Sequence, residues 1–401
     1  MPLQRYVRLL RIKGVPSSML LLFLIRLPMT ATGITLTLHV VSELGRGYGA
    51  AGLVGTATTA GAALGAPMVG RLIDRHGLRP VVAVCGTVSC GYWLCTPYLP
   101  YEMLLAAALV AGALVVPASS ISRQVLTALV PEGQRRTAYS LDMVLLETSF
   151  MVGPAAWIAL TTQLSSTVAL TSLGVAFGLL SLLLYVQDPP IRSTAETVLP
   201  RQPRPPARSW LSGPLVATLL VAAGALFVLV GTELAALATL RASGEVGWTG
   251  ALITVMCVAS LAGGLVHGAV PRSLPQLPLM VLLAVLVIPV GLVAQPWWLL
   301  ALALVPMNFA CAPTLAATTE EVSRLVPAGV RGEAMGLQDA AAKTGLALGS
   351  PFVGFVIDNT GPGWGFAAAG LGGLGFAVVG LLLRGRQRRT RATEAARVSQ
   401  A

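Results

Sequence analysis

Twelve apolar runs follow one another along this 401-residue chain, separated only by short polar breaks. They cover 17–41, 48–70, 78–97, 103–129, 137–161, 165–186, 213–240, 247–269, 276–294, 297–323, 333–357 and 363–383. Each can cross a hydrocarbon layer about 30 Å thick, the longer ones with tilt. Strands would show apolar residues at every second position, and these runs do not, so the expected spans are α-helices. The first run is too long for a signal peptide and lacks a small-residue cleavage site, so it is expected to stay. Only 11% of the residues are Asp, Glu, Lys or Arg, against about 25% in soluble domains. With 55% hydrophobic residues, the chain cannot cover a water-facing surface. A cytosolic enzyme and a disordered chain are both excluded.

The charges orient the spans. With the N-terminus cytoplasmic, Arg5, Arg8, Arg11 and Lys13 lie inside, and every second loop adds more: Arg71, Arg75 and Arg79, then Arg123, Arg135 and Arg136. The central loop holds Arg192, Arg201, Arg204 and Arg208, and later loops hold Arg272, Arg324 and Arg331. Six more Arg occupy the tail, while only Arg46 and Arg241 fall outside. This is the positive-inside pattern, loop by loop, and it predicts cytoplasmic termini. The net charge of +11 is therefore topological, and no nucleic-acid partner is expected. Arg outnumbers Lys 25 to 2 amid abundant Ala and Gly, a composition that suggests a GC-rich bacterial genome and an inner-membrane location. Cys85, Cys90, Cys95, Cys257 and Cys311 sit in apolar runs without metal-ligand spacing, so they are expected as small buried residues.

The halves repeat. Val130-Pro131-Glu132-Gly133-Gln134-Arg135 aligns with Val326-Pro327-Ala328-Gly329-Val330-Arg331 at an offset of 196, a register that also pairs Pro117 with Pro313 and Gly153 with Gly349. Both copies start on the same membrane side, so the repeat is parallel, as in transporters with a site between two halves. The expected organisation is an N-terminal six-helix bundle (1–186), a Pro- and Arg-rich cytoplasmic linker (187–212), a second six-helix bundle (213–384) and a basic tail (385–401).

Between spans 2 and 3 stands Gly70-Arg71-Leu72-Ile73-Asp74-Arg75-His76-Gly77-Leu78-Arg79. With the twelve spans, central loop and parallel repeat, this stretch resembles the loop motif of the major facilitator superfamily, Leu78 replacing one basic position. The resemblance implies that family's all-α fold of two pseudo-symmetric bundles. It also implies a conformational latch built from Gly70, Arg71, Asp74, Arg75, Gly77 and Arg79. There Asp74 sits at the positive N-terminus of span 11 and holds the outward-facing state. The matching loop of the second half, Gly268 to Arg272, is degenerate. The span 4 motif of proton-coupled exporters is missing from Ala108–Gly112, and their span 5 motif survives as Gly153 and Pro154. Span 11 keeps Gly345 and Gly349, with Pro351 one residue late. These residues suit close helix packing or gating.

Four ionisable residues lie near mid-span: Arg26, Glu147, Glu233 and Lys343. Facing lipid, such groups cost about 2.5–3.5 kcal/mol each, so they are expected to line a cavity or pair. Within each half the pairs would be Arg26 with Glu147 and Glu233 with Lys343, in structural, substrate-binding or proton-coupling roles. Glu147 is the first candidate for proton linkage and Glu233 the second, since alternating water access changes a carboxylate's proton affinity. Asp142 and Asp339 lie near cytoplasmic span ends, where gating and plain solvation both remain open. No phosphate-binding loop or hydrolase motif appears, so no enzyme activity, cofactor or metal is expected. The expected function is secondary active transport: proton-coupled efflux of a small organic molecule by a lipid-embedded monomer. The alternatives are a proton-coupled or facilitated importer and, remotely, a non-transporting membrane receptor or a membrane enzyme.

Overall fold

The computed structural model describes residues 3–193, 205–270, 274–293 and 296–398, with side chains to Leu383 in the last stretch. Arg272, residues 194–204 of the expected linker and the side chains of the basic tail lie outside the described residues. Among the described residues, twelve helices are long and apolar enough to cross a membrane. Spans 1–6 are Val15–Ser42, Ala50–His76, Leu78–Tyr98, Tyr101–Leu129, Glu132–Gln163 and Ser166–Gln187. Spans 7–12 are Gly213–Ala242, Val246–Ala269, Gln276–Val293, Trp297–Leu325, Ala328–Thr360 and Pro362–Leu383. Among the described residues every regular element is helical, as hydrocarbon demands of a backbone that must satisfy its own polar groups.

The chain forms two compact units, Met1–Gln202 with Ala328–Ala340, and Pro203–Pro327 with Ala341–Ala401. The opening turns of span 11 thus group with the first unit. In that unit span 1 packs along span 5, span 2 along span 4, and span 3 along span 6. The second unit repeats the pattern where it can be compared: span 8 lies along span 10, span 9 along span 12, and span 7 along span 12 as span 1 does along span 6.

Proline sets the departures from straight helix. Pro28, Pro67, Pro154 and Pro351 stay inside continuous helices, as do Pro306 and Pro313 in span 10. Span 4 instead stops at Ala113 and resumes at Ala118, immediately after Pro117. Span 9 tightens into narrower turns over Ile288–Val293, beginning just before Pro289. Each proline removes one N–H and crowds the turn before it.

The cores differ. Among the described residues the second unit holds one continuous apolar cluster, which includes Phe227, Met280, Leu283, Leu304 and Phe366. The first unit holds two. One surrounds Ile25, Ile73, Val82 and Ile121, and the other surrounds Leu36, Trp93, Leu104 and Phe177. Met29 packs against both. Along span 1, Arg26 follows Ile25 of the first cluster and precedes Ala31 of the second.

Candidate functional site

Arg26 is 2% exposed and its partner is Asp142, 1% exposed. The guanidinium grips the carboxylate with both terminal nitrogens: Nη1 lies 2.8 Å from Oδ1, and Nη2 donates to Oδ2 at 3.0 Å. Nη1 also donates to the Asp142 backbone carbonyl at 3.2 Å. The Ser122 hydroxyl adds a bond to Asp142 Oδ1 at 2.6 Å. Spans 1, 4 and 5 are thereby joined at one buried point. A bidentate pair whose remaining lone pairs find a donor is the geometry that offsets desolvation. This corrects two expectations. The carboxylate that faces Arg26 is Asp142 rather than Glu147, and Asp142 does not reach interfacial water. A register of about a turn and a half between the two acids separates them, and only packing reveals which one meets span 1.

The break in span 4 positions this site. The resumed helix Ala118–Leu129 buries Ser120, Ser122, Arg123, Gln124 and Thr127. Arg123 Nη1 donates to Asp339 Oδ1 at 3.0 Å, with both side chains about nine-tenths buried. Asp339 is thus committed to an ion pair as well.

At the loop between spans 2 and 3, the Asp74 carboxylate accepts from two backbone N–H groups, Gly332 at 3.0 Å and Glu333 at 2.9 Å. These belong to the first turn of the helix Arg331–Thr360. A carboxylate there satisfies orphan donors and meets the positive end of the helix dipole. The approach requires glycine on both sides, because a Cβ at Gly70 would strike the Gly332 carbonyl and one at Gly332 would strike Gly70 and Asp74. Arg71 Nη2 adds a 2.7 Å bond to Glu333 Oε1. Gly77, at φ +87°, turns the chain into span 3. Arg75 is exposed, and Arg79 bonds the Tyr185 carbonyl and Asp188. Sequence reading missed Glu333, although an acid in the first turn of a helix was the available signal.

Glu147 lies half-buried on span 5, Lys343 half-buried on span 11, and Glu233 exposed on span 7. Gly153, followed by Pro154 in span 5, meets Leu27 and Thr30 of span 1. Gly345 and Gly349 of span 11 meet span 7 at Ala223 and at Phe227 and Val230, with Pro351 in the next turn. Among the described residues no group of His, Cys, Asp and Glu could hold a metal ion.

Twelve spans in paired helical halves, with an acid held at a helix terminus and buried ion pairs, make the architecture of a membrane transporter. The sequence profile of the Major Facilitator Superfamily matches residues 18–288 and 243–400, and the chain belongs to that family, whose members are transporters and not enzymes. Several solved structures share the fold. The human organic anion transporter MFSD10 (TETRAN) superposes with a TM-score of 0.73 at 17% identity, covering 91% of this chain and 98% of its own. A bacterial homologue of the iron transporter ferroportin, in its outward-facing state, gives 0.74 at 16% identity, covering 92% and 99%. The proton:xylose symporter XylE gives 0.70 at 15% identity, covering 91% and 94%. No curated protein sequence matches the chain.

Proposed function

We propose that this transporter exports a small amphipathic or apolar organic molecule from a bacterial cell in exchange for protons, as an inner-membrane monomer with both termini inside. One observation supports the cargo class: Asn308, Thr30 and Thr35, deep in the spans, turn their hydrogen bonds back on the protein. Asn308 donates to Leu304 of its own helix at 3.0 Å, and Thr30 and Thr35 bond helix carbonyls. A solute rich in hydroxyls would need such groups facing it.

Glu147 is the proposed proton carrier. Arg26 and Asp142 already form a closed pair, so Arg26 takes a structural role and the coupling duty passes to the acid that this pair does not use. Glu233, with Lys343, is the competitor. Proteoliposomes with an imposed pH gradient and a panel of amphipathic dyes test the reading. Wild-type protein should move at least one dye against its gradient, and Glu147→Gln should abolish uphill movement while preserving exchange. Uphill transport that survives in Glu147→Gln and fails in Glu233→Gln would reassign the role. Uptake of a hydroxylated solute down a proton gradient, with no dye movement, would establish the importer instead. For topology, a periplasm-active reporter fused after Arg397 should stay silent while a cytoplasm-active one reports.

A further inference from the structure

On the first unit, two cavities lie end to end along spans 3 and 6. The outer one, about 550 Å³, is formed by the latch loop and by the chain leaving span 6, with His76, Arg79, Asp188 and Arg192 among its lining. Asp188 makes that return possible by taking a left-handed conformation (φ 41°) at the end of span 6, a conformation Asp tolerates better than most residues. The inner cavity, about 530 Å³, is an apolar groove lined by Ala83, Gly86, Cys90, Gly178, Ser181 and Tyr185. Arg79 of the outer cavity links it to the inner one: its guanidinium lies 5.7 Å from the ring centre of Tyr185, which lines the groove.

The polar groups of the outer cavity favour an anion. Its two carboxylates are already matched: Asp74 by the Gly332 and Glu333 N–H groups, Asp188 by Arg79 Nε at 3.1 Å. Arg192 uses one nitrogen on the Asp74 carbonyl, at 3.0 Å. Among the described residues these bonds leave the terminal nitrogens of Arg79, the rest of the Arg192 guanidinium and the exposed His76 ring for a ligand. The helix Leu78–Cys95 also begins here without a side-chain cap, which adds positive potential. Beyond Arg79 the groove follows span 3 from Val82 to Gly91, about 14 Å at helical rise, or roughly half the hydrocarbon thickness. Ser181 lines it, 5% exposed, and makes no hydrogen bond among the described residues.

We propose that these cavities together seat one anionic phospholipid of the inner leaflet, its phosphate against Arg79 and Arg192 and one acyl chain in the groove. The Ser181 hydroxyl lies at the depth where it would meet the lipid. Because Arg192 also holds the Asp74 carbonyl, the headgroup bears on the latch, and its presence favours the latched loop.

The test uses delipidated full-length protein in detergent, with phosphatidylglycerol, phosphatidylcholine and inorganic phosphate added separately. Native mass spectrometry reads retention and a melting curve reads protection. Two basic contacts near the surface predict about thirtyfold tighter retention of phosphatidylglycerol than of phosphatidylcholine. Arg79→Gln with Arg192→Gln should erase that preference. Ala83→Trp, at an exposed groove position, should block lipid retention while the protein still melts as the wild type does in lipid-free detergent, so the test survives if the double variant misfolds. Three results would overturn the proposal: equal retention of both lipids by wild type, undiminished phosphatidylglycerol retention in Ala83→Trp, or full protection by inorganic phosphate alone, which would mark a soluble-anion site.

Discussion

Spans 4 and 10 occupy the same place in the repeat and carry a proline at the same register, yet they fold differently. Span 10 runs as one helix through Pro313, whereas span 4 breaks over residues 114–117. The three residues before the proline account for this. Span 10 offers Ala310-Cys311-Ala312, small enough to stay helical beneath the ring. Span 4 offers Leu114-Val115-Val116, where β-branching adds to the bias that proline already imposes on its predecessor. The consequence reaches the site, since the freed segment presents Ser122 to Asp142 and Arg123 to Asp339.

The same offset sets Arg26 beside Ala222, which is 1% exposed in the apolar second unit, and Asp142 beside Gln338. One repeat buries an ion pair where the other buries a small apolar residue and a neutral amide. A duplicated fold therefore fixes where helices run without fixing what chemistry they bury.

The largest effect should come from breaking the buried pair. Arg26→Met or Asp142→Asn leaves an uncompensated group and should lower stability by about 3–5 kcal/mol, read by denaturant unfolding in lipid–detergent mixtures. Arg26→Met with Asp142→Leu should recover much of that loss, making the first unit resemble the second. Single variants that unfold like wild type would show that the pair is not what distinguishes the units.

A smaller, functional effect is expected at Asp74, whose loop motif the second half lacks in sequence. Asp74→Asn keeps the size but replaces one acceptor with an amide that opposes a backbone N–H. Losing a charge-assisted bond of about 1.5 kcal/mol corresponds to roughly tenfold in an equilibrium constant. Dye flux should fall about that much with expression near normal. Unchanged flux would reduce the loop to a positive-inside connector.

The gentlest perturbation addresses the proline comparison itself. Val115→Ala with Val116→Ala gives span 4 a predecessor sequence like that of span 10. Amide exchange over residues 114–116 should slow roughly threefold, a change of under about 1 kcal/mol in local opening. Exchange that stays fast would place the cause of the break in tertiary packing.

Most of the fold was legible because a bilayer is a simple solvent. It fixes span length, forces helices and sorts Arg by side, so periodicity and charge located all twelve spans to within a few residues. The latch loop was legible as a local motif, yet its partner at Gly332 and Glu333 lies some 260 positions away, and only the family resemblance pointed there. Three-dimensional packing decided which acid faces Arg26. Asp142 and Glu147 are both acids on one helix, and their difference is an angle about the span 5 axis that depends on how spans 1, 4 and 5 rotate against each other. Sequence by itself determined the solvent, the helices and the repeat, because those follow from local composition. The tertiary structure decided the ion pairs and the meeting of Ser122 with Asp142. Each depends on side chains from separate spans meeting within about 3 Å, which is hydrogen-bond range.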